Sequence, residues 1–225
     1  MTASGLFASL ARIGETQAHL PGPSAVVLAL VAGAAASFLW PVSRHLATMA
    51  HEAAHATVGL ATGLKIGGMT FKLNGDGATQ VAGGGIPLFL STLVGYFGPS
   101  AVGIGAAGLI RVGHMVAVLW LGVVALLIIM LSLRTRSFGY LSVPVAFVLL
   151  LGVAGFASAA VQIASAYVVA WFLLVSGLKV ARIRGKNASD AQRLRDTTKI
   201  PAAFWSFIWQ LGAAAALVLG AILLV

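Results

Sequence analysis

The chain contains no cysteine, which excludes disulfides, zinc knuckles and iron–sulfur clusters. Charge is scarce as well: only 8% of the 225 residues are Asp, Glu, Lys or Arg, and just five are acidic. A soluble domain carries about 25% charged residues, so this chain lacks the polar groups to cover a globular surface. No loop is long enough to fold a soluble sensor module. What the chain has instead is apolar side chains, 60% of the total, with a mean hydropathy of +1.01. Lipid is the solvent this composition calls for, and a soluble enzyme, a disordered tail and a secreted disulfide scaffold are set aside.

A helix needs about 20 apolar residues to cross the hydrocarbon core. Seven such stretches are predicted, at 24–43, 45–64, 87–110, 114–133, 139–157, 159–178 and 201–225. Nothing charged marks the boundary at Ala157–Ser158, so six spans is the alternative count. The fold class expected is an all-α polytopic membrane protein. Residues 1–23 form an N-terminal cytoplasmic segment and 24–225 a single integral membrane domain. Pro21-Gly22-Pro23 reads as the break between them, and Arg12 and Glu15 argue against a cleaved signal peptide.

Basic residues orient the stack. With the N-terminus in the cytoplasm, the inner loops hold Arg12, Lys65, Lys72, Arg134, Arg136 and the cluster from Lys179 to Lys199, while the outer loops hold Arg44 and Arg111. That is a strong positive-inside bias. The net charge of +9 is therefore read as a topology signal that meets anionic lipid. No aromatic residues interleave with the basic cluster, so nucleic acid is not an expected partner. Residues 65–82 break the helical pattern: β-formers flank Asn74-Gly75-Asp76-Gly77, the signature of a hairpin on the cytoplasmic side after the second span. Trp40, Trp120 and Trp205 fall near span boundaries and read as interface anchors.

His51-Glu52-Ala53-Ala54-His55 is an HExxH sequence within the second span. Residues four apart share a helix face, so both imidazoles can meet one Zn²⁺, and Glu52 is placed to take a proton from metal-activated water. Three ionisable side chains in five residues cost roughly 2.5–3.5 kcal/mol each within a bilayer, a cost that a bound dication offsets. The competing readings are a proton or metal pathway through a transporter and an inactive metal-binding scaffold. A catalytic zinc usually has a third protein ligand. Among the remaining acids, Asp76 reads as a solvated turn residue, which leaves Asp190 and Asp196 after the sixth span. Asp190 fits two roles equally from its own chemistry, metal ligand or N-terminal cap of a short helix 191–198. Asp196 reads as a surface partner for Arg193 or Lys199.

The stretch Ser189-Asp190 through Ile200-Pro201, followed by Trp205, resembles the C-terminal motif of the peptidase-M50B-like branch of site-2 proteases. The HExxH, the glycine-containing hairpin after it and Gly95-Tyr96-Phe97-Gly98-Pro99 resemble that branch in the same order, over roughly residues 45–210. No glycine follows Asp190, unlike the Asp-Gly of better-known members. The resemblance implies an intramembrane zinc metalloprotease of the bacterial cell membrane, with Asp190 as third ligand and transmembrane or juxtamembrane segments of other membrane proteins as substrates. Tyr96, Gly98 and Pro99 are candidates for substrate contact, although Gly98-Pro99 also reads as a helix kink. The hairpin edge is either a plain structural element or a strand to which substrate adds. The site should open toward the cytoplasm, and for Asp190 to reach the metal either the backbone around Asn187–Asp190 dips into the bundle or the site is water-filled. The sequence leaves the oligomeric state open.

Overall fold

A computed structural model describes residues 3–134, 137–184 and 189–225. The chain is mainly helical: α1 (Ala3–Ala11), α2 (Gly22–Phe38), α3 (Trp40–Ala61), α4 (Gly85–Val94), α5 (Gly98–Arg111), α6 (Met115–Leu131), α7 (Gly139–Phe156), α8 (Ala159–Arg184), α9 (Ser189–Thr198) and α10 (Ala202–Leu224). One two-stranded antiparallel hairpin, β1 (Lys65–Phe71) and β2 (Gly77–Ala82), lies between α3 and α4. Several of the helices are apolar enough to make this an integral membrane protein.

The span count differs from the seven predicted. Among the described residues, four helices are long and apolar enough to cross a membrane: Gly85–Arg111, Gly139–Phe156, Ala159–Ile183 and Ala202–Leu224. A fifth crossing arises if α2 and α3, which bend by 102° at their junction, count as one broken span. The first two predicted spans are therefore a bent pair rather than an antiparallel hairpin of helices. The cause is local. Pro41 sits in the first turn of α3, where its missing N–H costs nothing, so α2 ends and a new helix begins in another direction. The predicted span 114–133 forms α6, whose 17 residues fall short of the usual crossing length.

Helix α8 is the central element and packs against α2, α5, α6 and α10. Small residues set its close approaches: Leu174 of α8 lies where a side chain on Gly103 of α5 or Gly220 of α10 would sit. Lys179 of α8 donates to Ala36 O (2.6 Å) at the C-terminal end of α2 and lies 4.6 Å from the Trp40 ring centre, clamping the bend.

The N-terminal residues pack at one end of the bundle. Gln17 N donates to Gly113 O and Ser9 to Ala154 O. Arg12 donates to Gln162 Oε1 (2.9 Å) near the start of α8, and Gly22 lies beside Val225. Val180 and Ile183, 18 and 21 residues further along α8, line the cavity that holds Asp190. At 1.5 Å per residue this separates the two ends by about 27 Å. The N-terminal segment and the site, expected on the same side, thus lie at opposite ends of the bundle.

Candidate metal centre

The HExxH lies on the buried face of α3, which also carries Thr48, Met49, Ala56 and Gly59. One helical turn brings the rings of His51 and His55 edge to face, with centroids 4.6 Å apart. Asp190 reaches them from α9. That helix buries Asp190, Ala191 and Leu194 against α4 and α10, and exposes Arg193, Arg195 and Asp196. Its amphipathic face carries the carboxylate into the bundle. Residues 185–188, part of the segment expected to dip inward, lie outside the described residues. Of the two readings of Asp190, position in the first turn of α9 and contact with the histidines both occur. Asp196 pairs with Arg195 (3.0 Å), not with Arg193.

Three atoms converge: His51 Nε2 and His55 Nε2 are 3.1 Å apart, and Asp190 Oδ2 is 3.2 Å from the first and 3.3 Å from the second. Neighbouring ligands of a tetrahedral zinc with bonds of roughly 2.05 Å lie roughly 3.3 Å apart, so this triangle fits one face of such a site. His55 Nδ1 donates to Ser91 O (2.7 Å), which fixes the tautomer and turns the lone pair of Nε2 toward the triangle. Lone pairs packed this closely repel one another unless a cation or proton lies among them. Burial pushes the Asp190 carboxyl up, but the hydrogen bonds and charge of His51 and His55 outweigh it and hold the group well below the usual carboxylate range. Together the three residues could hold a metal ion.

Glu52 faces the same cavity and meets the hairpin. Thr79 Oγ1 of β2 donates to Glu52 Oε2 (2.7 Å), and Gly77 has no side chain because a Cβ there would lie 2.7 Å from Glu52 Oε1. Thr48 Oγ1 donates to Gly75 O (2.8 Å), tying the hairpin turn to α3. The histidines, Glu52, Thr79, Tyr96 and Asp190 line a cavity of about 480 Å³.

The Gly95–Pro99 element now has a physical role. Residues 95–97 form a 3₁₀ turn between α4 and α5, and a Cβ on Gly95 would overlap the His55 ring. A Cβ on Gly98 would lie 2.6 Å from Ala50 O. Gly98 and Pro99 are buried and do not line the cavity, so their candidacy for substrate contact gives way to packing: they let α5 approach α3. Tyr96 does line the cavity, edge-on to His51 (4.6 Å) and stacked on Trp209 (4.3 Å). Trp209 is fully buried and donates to Leu93 O (2.8 Å). Trp205 is buried against Phe89, so it is a core residue and not an interface anchor. The sequence reading missed Ser91, Thr79 and Trp209. Nothing local marks a serine or threonine that becomes a partner only through folding.

The sequence model of Peptidase M50B-like proteins matches residues 24–220. The chain belongs to this family. Comparison with curated proteins and with solved structures gave no match. M50B-like membership makes the chain a membrane protein of peptidase type, and its His51–His55–Asp190 group is compatible with the metal that M50 peptidases use.

Proposed function

We propose that the protein is a zinc endopeptidase that cuts transmembrane or juxtamembrane segments of other membrane proteins. The observation that carries this reading is the triangle of donor atoms with sides of 3.1–3.3 Å, in a cavity it shares with Glu52, which lies outside the triangle. His51, His55 and Asp190 would hold Zn²⁺, which supplies Lewis-acid polarisation of the scissile carbonyl and lowers the pKa of water.

The chain's own groups do the rest. Glu52 accepts a proton from the attacking water and delivers it to the nitrogen of the departing amine as the C–N bond breaks. Thr79 holds the Glu52 carboxylate by one hydrogen bond and so fixes its aim. Ser91 orients His55, and the stacked pair Tyr96–Trp209 backs the His51 ring. Tyr96 is the residue of the Gly95–Pro99 element that faces the cavity, and we assign it contact with substrate. The bilayer and membrane-protein substrates are the partners this reading requires.

Charge supports a cytoplasmic site. Arg44 packs against the hairpin turn at Gly75, on the site's end, whereas Arg12 lies at the far end. The two arginines exchange sides relative to the sequence reading, and the positive-inside bias is unchanged. The cavity then faces the cytoplasm of a bacterial cell membrane, and both described chain ends face the other side.

The test is purification in detergent, metal analysis at neutral pH, and cleavage of a model transmembrane substrate in proteoliposomes. One zinc per chain and cleavage abolished by Glu52→Gln support the proposal. A protein without stoichiometric zinc sinks it.

A further inference from the structure

A second cavity, of about 560 Å³, lies on the other side of α3 from the metal centre. Its walls are Ala53, Ala56, Thr57 and Leu60 of α3 (positions i, i+3, i+4, i+7) and Ala125 and Ile128 of α6. Helix α3 packs on α4, α5 and the hairpin, while α6 packs on α7 and α8, so the gap between α3 and α6 is closed mainly by β1 at one end. Leu60, Ile128 and Leu131 at its mouth are exposed apolar side chains.

Arg134 stands at the β1 end, and the hairpin is built to receive it. The β1–β2 register slips between Ile66 and Gly68, and Gly68 adopts φ +112°. A side chain on Gly68 would lie 2.7 Å from Arg134 Cγ, so the arginine stem rests where only glycine fits. Met69 N donates to Ser132 O (2.8 Å) and Arg134 N to Met69 O (2.9 Å), holding the arginine backbone against the strand. Arg134 Nη1 donates to Gly67 O (2.9 Å) and Gln80 Oε1 (2.7 Å). Both acceptors are neutral, and no carboxylate among the described residues pairs with Arg134. The bulge, the glycine and the two hydrogen bonds thus fix an uncompensated positive charge at the rim of an apolar groove. Bulges that re-aim a side chain in this way cluster beside functional sites, and the metal centre does not use this one.

We propose that this groove binds an anionic phospholipid, with one acyl chain between α3 and α6 and the phosphate on Arg134. A groove of this volume suits an acyl tail better than a helix 10–12 Å across. The fixed guanidinium selects the anionic headgroup that surrounds basic residues at a cytoplasmic membrane surface.

The experiment uses the full chain in nanodiscs of phosphatidylcholine, doped with either phosphatidylglycerol or phosphatidylcholine carrying a photoreactive diazirine in the acyl chain. Cross-linked peptides are mapped by mass spectrometry. The expected result is phosphatidylglycerol adducts on residues 53–60 and 125–133, reduced about fivefold in Arg134→Gln, the ratio one basic residue gives at an anionic surface. Thr57→Trp, an exposed position that fills the groove, should remove the adducts with either headgroup. Unchanged zinc content in both variants reports that the fold is intact. Equal labelling by the two lipids together with no effect of Arg134→Gln overturns the proposal. So does loss of the lipid adducts in favour of a co-reconstituted transmembrane substrate. Lipid labelling does not depend on cleavage, so failure here leaves the peptidase reading standing, and the reverse.

Discussion

Asp190 Oδ2 lies 3.2 Å from His51 Nε2, although 139 residues separate them in the chain. The contact joins a helix that carries two imidazoles to a polar helix that would otherwise lie on the surface. Glu52, beside this contact, shares the cavity without joining the triangle.

Separating ligand from base is the first consequence. Glu52→Gln should keep zinc and lose cleavage by roughly 10²–10⁴-fold, the usual weight of a general base. His51→Ala and Asp190→Ala should lose zinc, by more than the ~10–100-fold that follows loss of an outer hydrogen-bond partner. Metal analysis beside a cleavage assay distinguishes the two patterns. If Asp190→Ala retains full zinc, Asp190 is not a ligand.

Gly95→Ala should weaken zinc binding by at least tenfold while the helices remain folded. The added methyl overlaps the His55 ring, which must turn away from Ser91 and from the triangle. Circular dichroism and a zinc titration on the same sample check this, and a variant with wild-type affinity rules it out.

Orientation can be read from cysteine labelling, because the chain has no native cysteine to confuse the result. Glu15→Cys and Asn74→Cys are both at exposed positions, at opposite ends of the bundle. In intact cells a membrane-impermeant maleimide should label the first and leave the second untouched until the membrane is broken. The reverse pattern would turn the site away from the cytoplasm.

Lys179→Met should lower stability by about 1–2 kcal/mol, since it removes a cation from the C-terminal carbonyls of α2 and from the face of Trp40. A lower thermal midpoint in detergent with zinc binding preserved is the expected outcome. An unchanged midpoint would show that the Lys179 contacts do not stabilise the bundle.

Local periodicity made much of the site legible. His51 and His55 meet because four residues is one helical turn, a property of α3 alone. Residues 65–82 pair as a hairpin because Asn74-Gly75 supplies the left-handed position, which Gly75 occupies at φ +78°. The Thr79 contact to Glu52 was not legible, since it depends on how the hairpin lies against α3. Trp205 misled for the same reason: at a predicted boundary it looks like an anchor, but it is buried with the Phe89 ring of α4 against it.

By itself the sequence determined the solvent, the HExxH face and the hairpin, because composition and short-range spacing act within one turn or one strand pair. Only the tertiary structure decided how Asp190, which the family resemblance had named, comes into contact with the histidines, that α2 and α3 form a bent pair, and that the N-terminal segment lies far from the site. Those outcomes come from helix-on-helix packing: Ala191 and Leu194 seating α9, Lys179 clamping α2, and Gln162 holding Arg12. Two of these contacts, Lys179 to Ala36 and Arg12 to Gln162, join residues 143 and 150 positions apart, and no local pattern in the chain encodes them.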